Sequence, residues 1–225
     1  MDKTNNKPKT NNLKRQLIKK AAEIIDKDGL TKLTMRSLSN KVGVSRTAPY
    51  RHFENKNALL LAVAEEGFKE VFNRFKKINR DKSSDALSRL INIGVSSIEF
   101  ALHNPGVEKL MFGQEITKHP RTERLRLYAK KAFDEFVNAV KAYQKERKIS
   151  IDGKLDLANY TWLAFNGMAF HQGLSSVLGS NQFQVSGEYY GIPTLHTDKR
   201  PITVENIPEK INFAEEAIKR FWENI

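Results

Sequence analysis

The sequence predicts an all-α protein, and two observations carry that prediction. Apolar residues recur three and four positions apart through most of the 225 residues, which is the spacing of helices that bury one face. The periodic stretches are separated by residues that start or stop helices, such as Asp28-Gly29, Gly43 and Asn104-Pro105. With 40% hydrophobic and 28% charged residues, the composition is that of a globular protein with a core.

The first helix is predicted from Asn12 to Asp28, after a polar, basic stretch over residues 1–11 that we expect to be a flexible arm. Gly29 is expected to end this helix because glycine adopts the left-handed backbone of a helix terminus without strain. Its buried face is predicted to consist of Leu13, Leu17, Ala21, Ile24 and Ile25.

Three further helices are predicted before residue 80, each preceded by a side chain that can accept hydrogen bonds from first-turn N–H groups. They are a short helix from Met35 after Thr34, a second short helix over 46–52 after Ser45, and a long helix from Lys56 to about Lys77 after Asn55.

The remaining two thirds of the chain also has helical periodicity, interrupted by one irregular stretch. The predicted helices run from Ser83-Ser84 to Leu102, briefly from Pro105, from Pro120 through Tyr143, over 155–178, and from Pro208. Residues 179–207 contain scattered glycines and prolines and no helical period, so we predict a loop that either covers a pocket or clasps a partner subunit.

Positive charge is concentrated near the amino terminus. The formal charge is +12, and residues 1–57, with 14 basic and 5 acidic side chains, carry +9 of it. This asymmetry is typical of a module that faces a polyanion, joined to a nearly neutral body, and on charge alone a basic surface that serves only solubility is an equal alternative. Binding to an anionic membrane is a third interpretation, but no basic amphipathic helix with exposed aromatic residues supports it.

Several classes of protein are excluded by what the sequence lacks. The chain has no cysteine, so it has no disulfide framework and no thiolate metal site or nucleophile. Its five histidines lack the spacing of a metal site, and it contains no phosphate-binding or nucleophile motif. We therefore expect no metal, no cofactor and no enzymatic activity. The absence of a long apolar run or a secretory leader predicts a cytoplasmic protein without a membrane-spanning segment.

The most informative pattern lies between residues 34 and 56. Two short helices are separated by a tight turn at Gly43-Val44. The apolar residues around this turn are spaced to form a small shared core: Leu38, Val42, Val44, Ala48 and Phe53. This is the helix-turn-helix pattern, whose second helix enters the major groove of DNA. Pro49 lies in the first turn of that helix, where proline is tolerated, so we expect an intact helix.

The exposed side chains of the predicted second helix suit contacts with DNA. Arg46 can donate to guanine, Ser45 and Thr47 to base edges or phosphate, and Pro49 can contact a thymine methyl group. Phosphate oxygens are the expected partners of Tyr50, His52 and Lys56. Lysines of the arm either reach a minor groove or have no role.

Three runs of residues in this region resemble the signature of the TetR family of bacterial transcription regulators. They are Gly43-Val44-Ser45-Arg46, Tyr50-Arg51-His52-Phe53 and Asn55-Lys56-Asn57-Ala58-Leu59-Leu60. The resemblance implies an all-helical homodimer with a DNA-binding domain over 12–58 and a dimerisation and effector-binding domain over 59–225. It also adds Thr34 and Arg36 to the expected DNA contacts.

A second resemblance concerns the carboxyl-terminal half. Residues 105–112 and Trp162…Asn166-Gly167 are similar to the domain of a TetR subgroup named for a Trp-His-Gly motif, with Asn166 in place of the histidine. The candidate residues for a ligand pocket are Phe112, Phe133, Trp162, Asn166 and His171. For Trp162 the sequence favours packing in the core or at the dimer interface over a pocket wall, and for His171 it favours a structural hydrogen bond over contact with an effector.

The predicted function is that of a DNA-binding transcription regulator, a repressor that a small molecule releases from a palindromic operator. An activator with the same fold is the alternative. An enzyme that uses the aromatic interior is disfavoured because the sequence has no recognisable set of catalytic residues. An interaction protein that has lost DNA binding is disfavoured by the presence of Arg46, Tyr50 and Lys56.

Overall fold

The computed structural model describes residues 7–117, 120–148 and 207–223, and these residues form α-helices and two short 3₁₀ helices without a β-strand. The all-α prediction is therefore confirmed. The α-helices are α1 (Lys7–Asp28), α2 (Met35–Val42), α3 (Lys56–Arg80), α4 (Ala86–His103), α5 (Pro105–Phe112), α6 (Gln114–Thr117), α7 (Glu123–Glu146) and α8 (Ile207–Glu223). The 3₁₀ helices are Leu30–Lys32 and Pro49–Arg51.

The first helix is longer than the sequence predicted. It begins at Lys7, so residues 7–11 belong to α1 and not to a flexible arm. Pro8 fits this start because a proline in the first turn removes an N–H that has no partner within the helix. At the other end the helix stops before Gly29 as predicted, and the Gly29 N–H donates to the Ile25 carbonyl at 3.1 Å. Gly29 has a positive φ of 86°, which favours glycine, but its ψ of 160° is not that of the left-handed helical conformation that the sequence predicted.

The chain divides into two compact units. The first unit contains the described parts of residues 1–69 and 104–129, and the second contains those of 70–103 and 130–225. The DNA-binding domain predicted over 12–58 thus lies in the first unit, together with α5 and α6, which the sequence analysis placed in the other domain.

Contacts between α1 and α5 explain why α5 belongs to the first unit. The Asp26 carboxylate accepts hydrogen bonds from the N–H groups of Gly106 at 2.8 Å and Val107 at 2.9 Å. A side chain of α1 therefore caps α5, while the side chain of Asn104, at the usual N-cap position, does not. A methyl group on Gly106 would lie 2.5 Å from the Ile25 carbonyl oxygen, so glycine permits this close approach.

The core of the second unit is formed by α4, α7, α8 and the carboxyl-terminal part of α3. Trp222 is fully buried at its centre, with its ring 6.3 Å from that of Phe136 and 6.2 Å from that of Tyr143 in edge-on arrangements. The Tyr143 hydroxyl donates to the Trp222 carbonyl at 2.6 Å, so this buried polar group is satisfied. Ile98 and Ile218 are also fully buried in this cluster.

Two predicted helix starts are wrong by a few residues. The helix expected from Ser83-Ser84 begins at Ala86, because Asp85 caps it by accepting from the Ser88 N–H at 2.6 Å. The hydroxyls of Ser83 and Ser84 donate to the Asp81 carboxylate and do not cap this helix. The helix expected from Pro120 begins at Glu123, where Thr122 accepts from the Leu125 N–H at 3.1 Å. The predicted helix over 155–178 and all but the last residue of the predicted loop over 179–207 lie outside the described residues. Ile207 belongs to α8, which therefore begins one residue before the predicted start at Pro208.

Candidate nucleic-acid interface

Thr34 fixes the start of α2, as its position before Met35 predicted. Its Oγ1 accepts from the Ser37 N–H at 2.9 Å, and the Ser37 Oγ accepts from the Thr34 N–H at 2.9 Å, which forms a reciprocal capping box. The Thr34 hydroxyl proton is not used in this box, so the exposed side chain keeps a donor for a phosphate oxygen.

The turn after α2 is closed by backbone hydrogen bonds. Gly43 has φ 76°, its N–H donates to Asn40 at 3.3 Å, and the Val44 N–H donates to Ser39 at 3.1 Å. This is a Schellman motif, in which glycine supplies the left-handed residue. The motif ends α2 and turns the chain, so that only Gly43 and Val44 separate α2 from Ser45.

Residues 45–53, here called the recognition segment, do not form the predicted α-helix over 46–52. They form turns followed by the 3₁₀ helix Pro49–Arg51, with N–H to carbonyl bonds between residues three apart, such as Ala48 to Ser45 at 3.0 Å. Pro49 is the physical reason, because it has no N–H to donate to Ser45 and its ring crowds that carbonyl. Only at Phe53, whose N–H donates to Pro49 at 2.9 Å, does the α-type spacing return.

The recognition segment has an exposed polar side and a buried apolar side. Ser45, Arg46 and Thr47 are exposed, as is Tyr50, which is 55% accessible. Ala48, Pro49 and Phe53 are buried. The predicted exposure of Pro49 is therefore wrong, and its ring anchors the segment instead of presenting itself to a thymine methyl group.

The start of α3 is held against the rest of the first unit. Asn55 Oδ1 accepts from the Ala58 N–H at 2.9 Å, which confirms the predicted cap. Lys56 Nζ donates to the Leu30 carbonyl at 3.1 Å, so one of its three donors is used within the protein. The predicted phosphate contact of Lys56 would have to use the remaining two.

The electrostatics of this region favour a polyanion. Residues 30–56 contain six basic side chains and one acidic side chain, Glu54. Neither α2 nor α3 has an acid in its first turn, and Glu54, two residues before Lys56, is the one carboxylate of this stretch. Arg36 and Arg46 are exposed.

The surroundings of His52 favour its neutral imidazole. Partial burial and the nearby charges of Lys14 and Arg51 lower the pKa of His52 below its usual 6.5. His52 is half-buried, with its ring 6.5 Å from that of Phe53. At neutral pH it can therefore donate one hydrogen bond, and an approaching phosphate would favour its protonated form.

Lys14 is not among the residues that the sequence pattern predicted to contact DNA, but in the structure it lies beside the recognition segment. Its Nζ lies 5.7 Å from the centre of the Phe53 ring, within the range of a cation–π contact. A signal was available in the sequence: Lys14 follows the buried-face residue Leu13 of α1, so it lies at the edge of the face that packs on the domain core. The residues around Lys14 in the sequence do not indicate which other element this edge of α1 contacts.

The structure describes two of the five predicted pocket residues. Phe112 is 47% accessible and packs edge-on against Phe68 in the first unit, with 5.4 Å between the ring centres. Phe133 packs at the border of the core of the second unit. Trp162, Asn166 and His171 lie outside the described residues. The pocket therefore stays a prediction.

The helices of the described residues include none that is both long and apolar enough to cross a membrane. Within the same part of the chain, no group of three or more histidine and acidic side chains is placed to hold a metal ion.

Comparisons with known proteins agree with the geometry of the first unit. Residues 17–63 match the family model described as bacterial regulatory proteins, tetR family. The chain is also similar to the nucleoid occlusion factor SlmA of Vibrio cholerae serotype O1, with 27% identity over 189 residues, 84% of this chain and 91% of the relative. The protein of the same name from Aliivibrio fischeri strain MJ11 is 29% identical over 143 residues, 63% and 71% of the two chains.

Solved structures share the fold over nearly the whole chain. A protein of unknown function from Rhodococcus sp. RHA1 has a TM-score of 0.65 at 22% identity, covering 93% of this chain and 94% of that one. The TetR family transcriptional regulator PfmR from Thermus thermophilus has a TM-score of 0.55 at 13% identity, with 92% and 94% covered.

Proposed function

Because this chain belongs, through its amino-terminal domain, to the TetR family of DNA-binding transcription regulators, we propose that it is a repressor. It binds a palindromic operator as a homodimer in the cytoplasm, and a small molecule releases it. The family consists of regulatory proteins, so the chain is not an enzyme.

One observation carries the DNA-binding part of the proposal. Arg46 stands exposed between Ser45 and Thr47 on a segment whose other side is buried. A guanidinium presented in this way matches the two acceptors of guanine in the major groove, and the neighbouring hydroxyls match base edges or phosphate. The residues proposed to contact DNA are Thr34, Arg36, Ser45, Arg46, Thr47, Tyr50, His52 and Lys56.

The positions of the phosphate contacts follow from the helix starts. Thr34 and Arg36 are at the first turn of α2, and Lys56 begins α3. Backbone N–H groups at these two places, the exposed Arg36 and the two remaining donors of the half-buried Lys56 would fix the register of the recognition segment on the duplex without reading sequence.

A homodimer explains how a short segment gains specificity. One recognition segment contacts only a few base pairs, whereas two segments related by a twofold axis read an inverted repeat with half-sites about one helical turn apart. A small molecule that favours another spacing of the two segments would weaken binding, and a coupling of about 1–3 kcal/mol is typical of such systems. Phe112 and Phe133 remain candidates for contacts with that molecule.

The test compares Arg46→Ala with Arg80→Ala on duplexes selected from a random pool. Arg80 is exposed at the far end of α3, about 36 Å along the helix from Lys56 for a rise of 1.5 Å per residue. We expect Arg46→Ala to lose about 1–3 kcal/mol of preference for the selected sequence over random duplex, and Arg80→Ala to lose none. Both variants should keep the wild-type mass in sedimentation. An unchanged preference in Arg46→Ala would refute the proposed base contact.

A further inference from the structure

We infer that Pro49 sets the sequence preference of this chain for DNA, although its own side chain is buried and does not contact the duplex. It is a positioning residue, which holds the recognition segment in a 3₁₀ register and so fixes the relative placement of the exposed side chains. The inference rests on the proposed DNA binding, and it concerns the choice of sequence rather than the ability to bind a duplex.

The hydrogen bonds around position 49 show what the proline controls. Pro49 has no N–H, so the Ser45 carbonyl, its partner in an α-helix, accepts from the Ala48 N–H at 3.0 Å. The Tyr50 N–H likewise donates to Thr47, three residues earlier, at 3.2 Å. The segment therefore has the 3₁₀ spacing on both sides of the proline.

The backbone next to Pro49 is otherwise compatible with an α-helix. Ala48 has φ −60° and ψ −43°, which are α-helical values. The Pro49 carbonyl accepts from the His52 N–H at 3.0 Å and from the Phe53 N–H at 2.9 Å, one bond of each spacing. Runs of 3₁₀ helix longer than three or four residues are uncommon because their hydrogen bonds are poorer. An N–H at position 49 is therefore expected to convert the segment to an α-helix.

The two registers place the exposed side chains of Thr47 and Tyr50 differently. In a 3₁₀ helix, residues three apart lie on the same side and about 6 Å apart along the axis. In an α-helix they are rotated by about 60° and lie about 4.5 Å apart. The difference of about 1.5 Å is nearly half of the spacing of about 3.4 Å between successive base pairs. Arg46, which directly precedes Thr47, is displaced relative to Tyr50 as well, so these side chains cannot keep the same partners on DNA in both registers.

A role of Pro49 in packing alone is the competing explanation, since Pro49 is buried, as are Ala48 and Phe53. Two substitutions separate the explanations because both restore the N–H and only one leaves a smaller side chain. Pro49→Ala creates space in the core, whereas Pro49→Leu fills it. An effect that both variants share comes from the backbone register, and an effect confined to alanine comes from packing.

The experiment selects duplexes from a random pool with the full-length wild type, with both Pro49 variants and with Pro105→Ala as the control. Pro105 is an exposed proline in the first turn of α5, where an N–H has no partner within the helix, so its replacement changes no register. We expect both Pro49 variants to select a different consensus. Their preference for the wild-type consensus over random duplex should fall at least about fivefold, which corresponds to one base contact. Pro105→Ala should select the wild-type consensus.

Two further measurements exclude a general loss of structure. The slope of log affinity against log salt should stay at the wild-type value in all four proteins, because no cation that contacts phosphate is changed. The ¹³Cα chemical shifts of residues 46–52 should move to α-helical values in both Pro49 variants. Unchanged shifts, a wild-type consensus in both variants, or a change confined to Pro49→Ala would overturn the inference and leave the proposed function intact. A wild-type protein that selects no duplex would overturn both.

Discussion

At the scale of single residues, the proposed interface is a cation between two hydroxyls. Ser45 Oγ and Thr47 Oγ1 are 3.2 Å apart, so one hydroxyl donates to the other. The pair then keeps one proton to donate and several lone pairs to accept. Together with the donors of Arg46, this gives the segment both kinds of hydrogen-bonding group within three residues, which is what discrimination between base edges requires.

His52 predicts a pH dependence of DNA binding. Burial, Lys14 and Arg51 lower its pKa in the free protein, whereas a bound phosphate would raise it, so binding should take up a proton. Affinity is therefore expected to increase as the pH falls from about 7.5 to about 5.5. His52→Gln, which cannot take up the proton, should flatten that dependence in a fluorescence anisotropy titration.

The same lowered pKa has an opposite consequence for folding. Because the unfolded chain binds a proton near pH 6.5 that the folded chain resists, the free energy of unfolding contributed by His52 falls as the pH drops through that value. The DNA titration must therefore be done where the protein is fully folded. An affinity that declines toward pH 5.5 in folded wild-type protein, or an unaltered profile in His52→Gln, would remove His52 from the phosphate contacts.

At the scale of secondary-structure elements, local signals were sufficient for the ends of α2 and for the start of α3. Thr34, Gly43 and Asn55 act through hydrogen bonds within four residues along the chain, so their types and spacing predicted them. The recognition segment differs because Pro49 selects a 3₁₀ helix over an α-helix, and its burial depends on the fold around it.

Contacts between distant residues could not be predicted from periodicity. Asp26 caps α5 from 80 residues away, and α5 therefore joins the DNA-binding unit, which the sequence analysis ended at residue 58. The same limit explains Lys14, whose position opposite Phe53 depends on how α1 packs. The helix-turn-helix pattern, with the family resemblance adding Thr34 and Arg36, supplied the candidate DNA contacts but not the neighbouring residues that set their charge.

The junction of α1 and α5 predicts a contrast between two glycine substitutions. Gly106→Ala would place a methyl group 2.5 Å from the Ile25 carbonyl oxygen, and backbone cannot move aside cheaply. We expect a loss of about 1–3 kcal/mol in the free energy of unfolding, as for other overpacked sites. The measurement is urea unfolding followed by circular dichroism.

Gly67→Ala is the matched control because its new methyl group meets side-chain atoms and no backbone, namely those of Met111 and, at 3.2 Å, Cγ1 of Val107. Met111 Sδ lies 2.5 Å from the position that this methyl group would take, and a thioether can move with little cost. Alanine also favours the middle of α3 by about 1 kcal/mol over glycine. We expect this variant to be no less stable than wild type, and equal losses in the two variants would contradict the proposed rigidity of the α1–α5 junction.

At the scale of the whole molecule, the excess positive charge and the large aromatic core lie in different parts of the sequence. The first 57 residues carry +9 of the +12 net charge, and they contain the recognition segment. The second unit has an aromatic core centred on Trp222 and only a small excess of charge. Such a division provides long-range attraction to DNA from one part and leaves the other free for association between subunits.

The proposed homodimer predicts that operator affinity depends on the spacing of half-sites. Two recognition segments held by one twofold axis can enter successive major grooves on the same side of the duplex. Inserting five base pairs between the half-sites turns one of them by about half a helical turn, so only one segment of the pair can bind. Affinity measured by anisotropy should then fall to that for a single half-site, and ten inserted base pairs should not restore it fully because the sites are about 34 Å farther apart. Equal affinity for all three spacings would show that each chain binds DNA independently, and the palindrome would have no role.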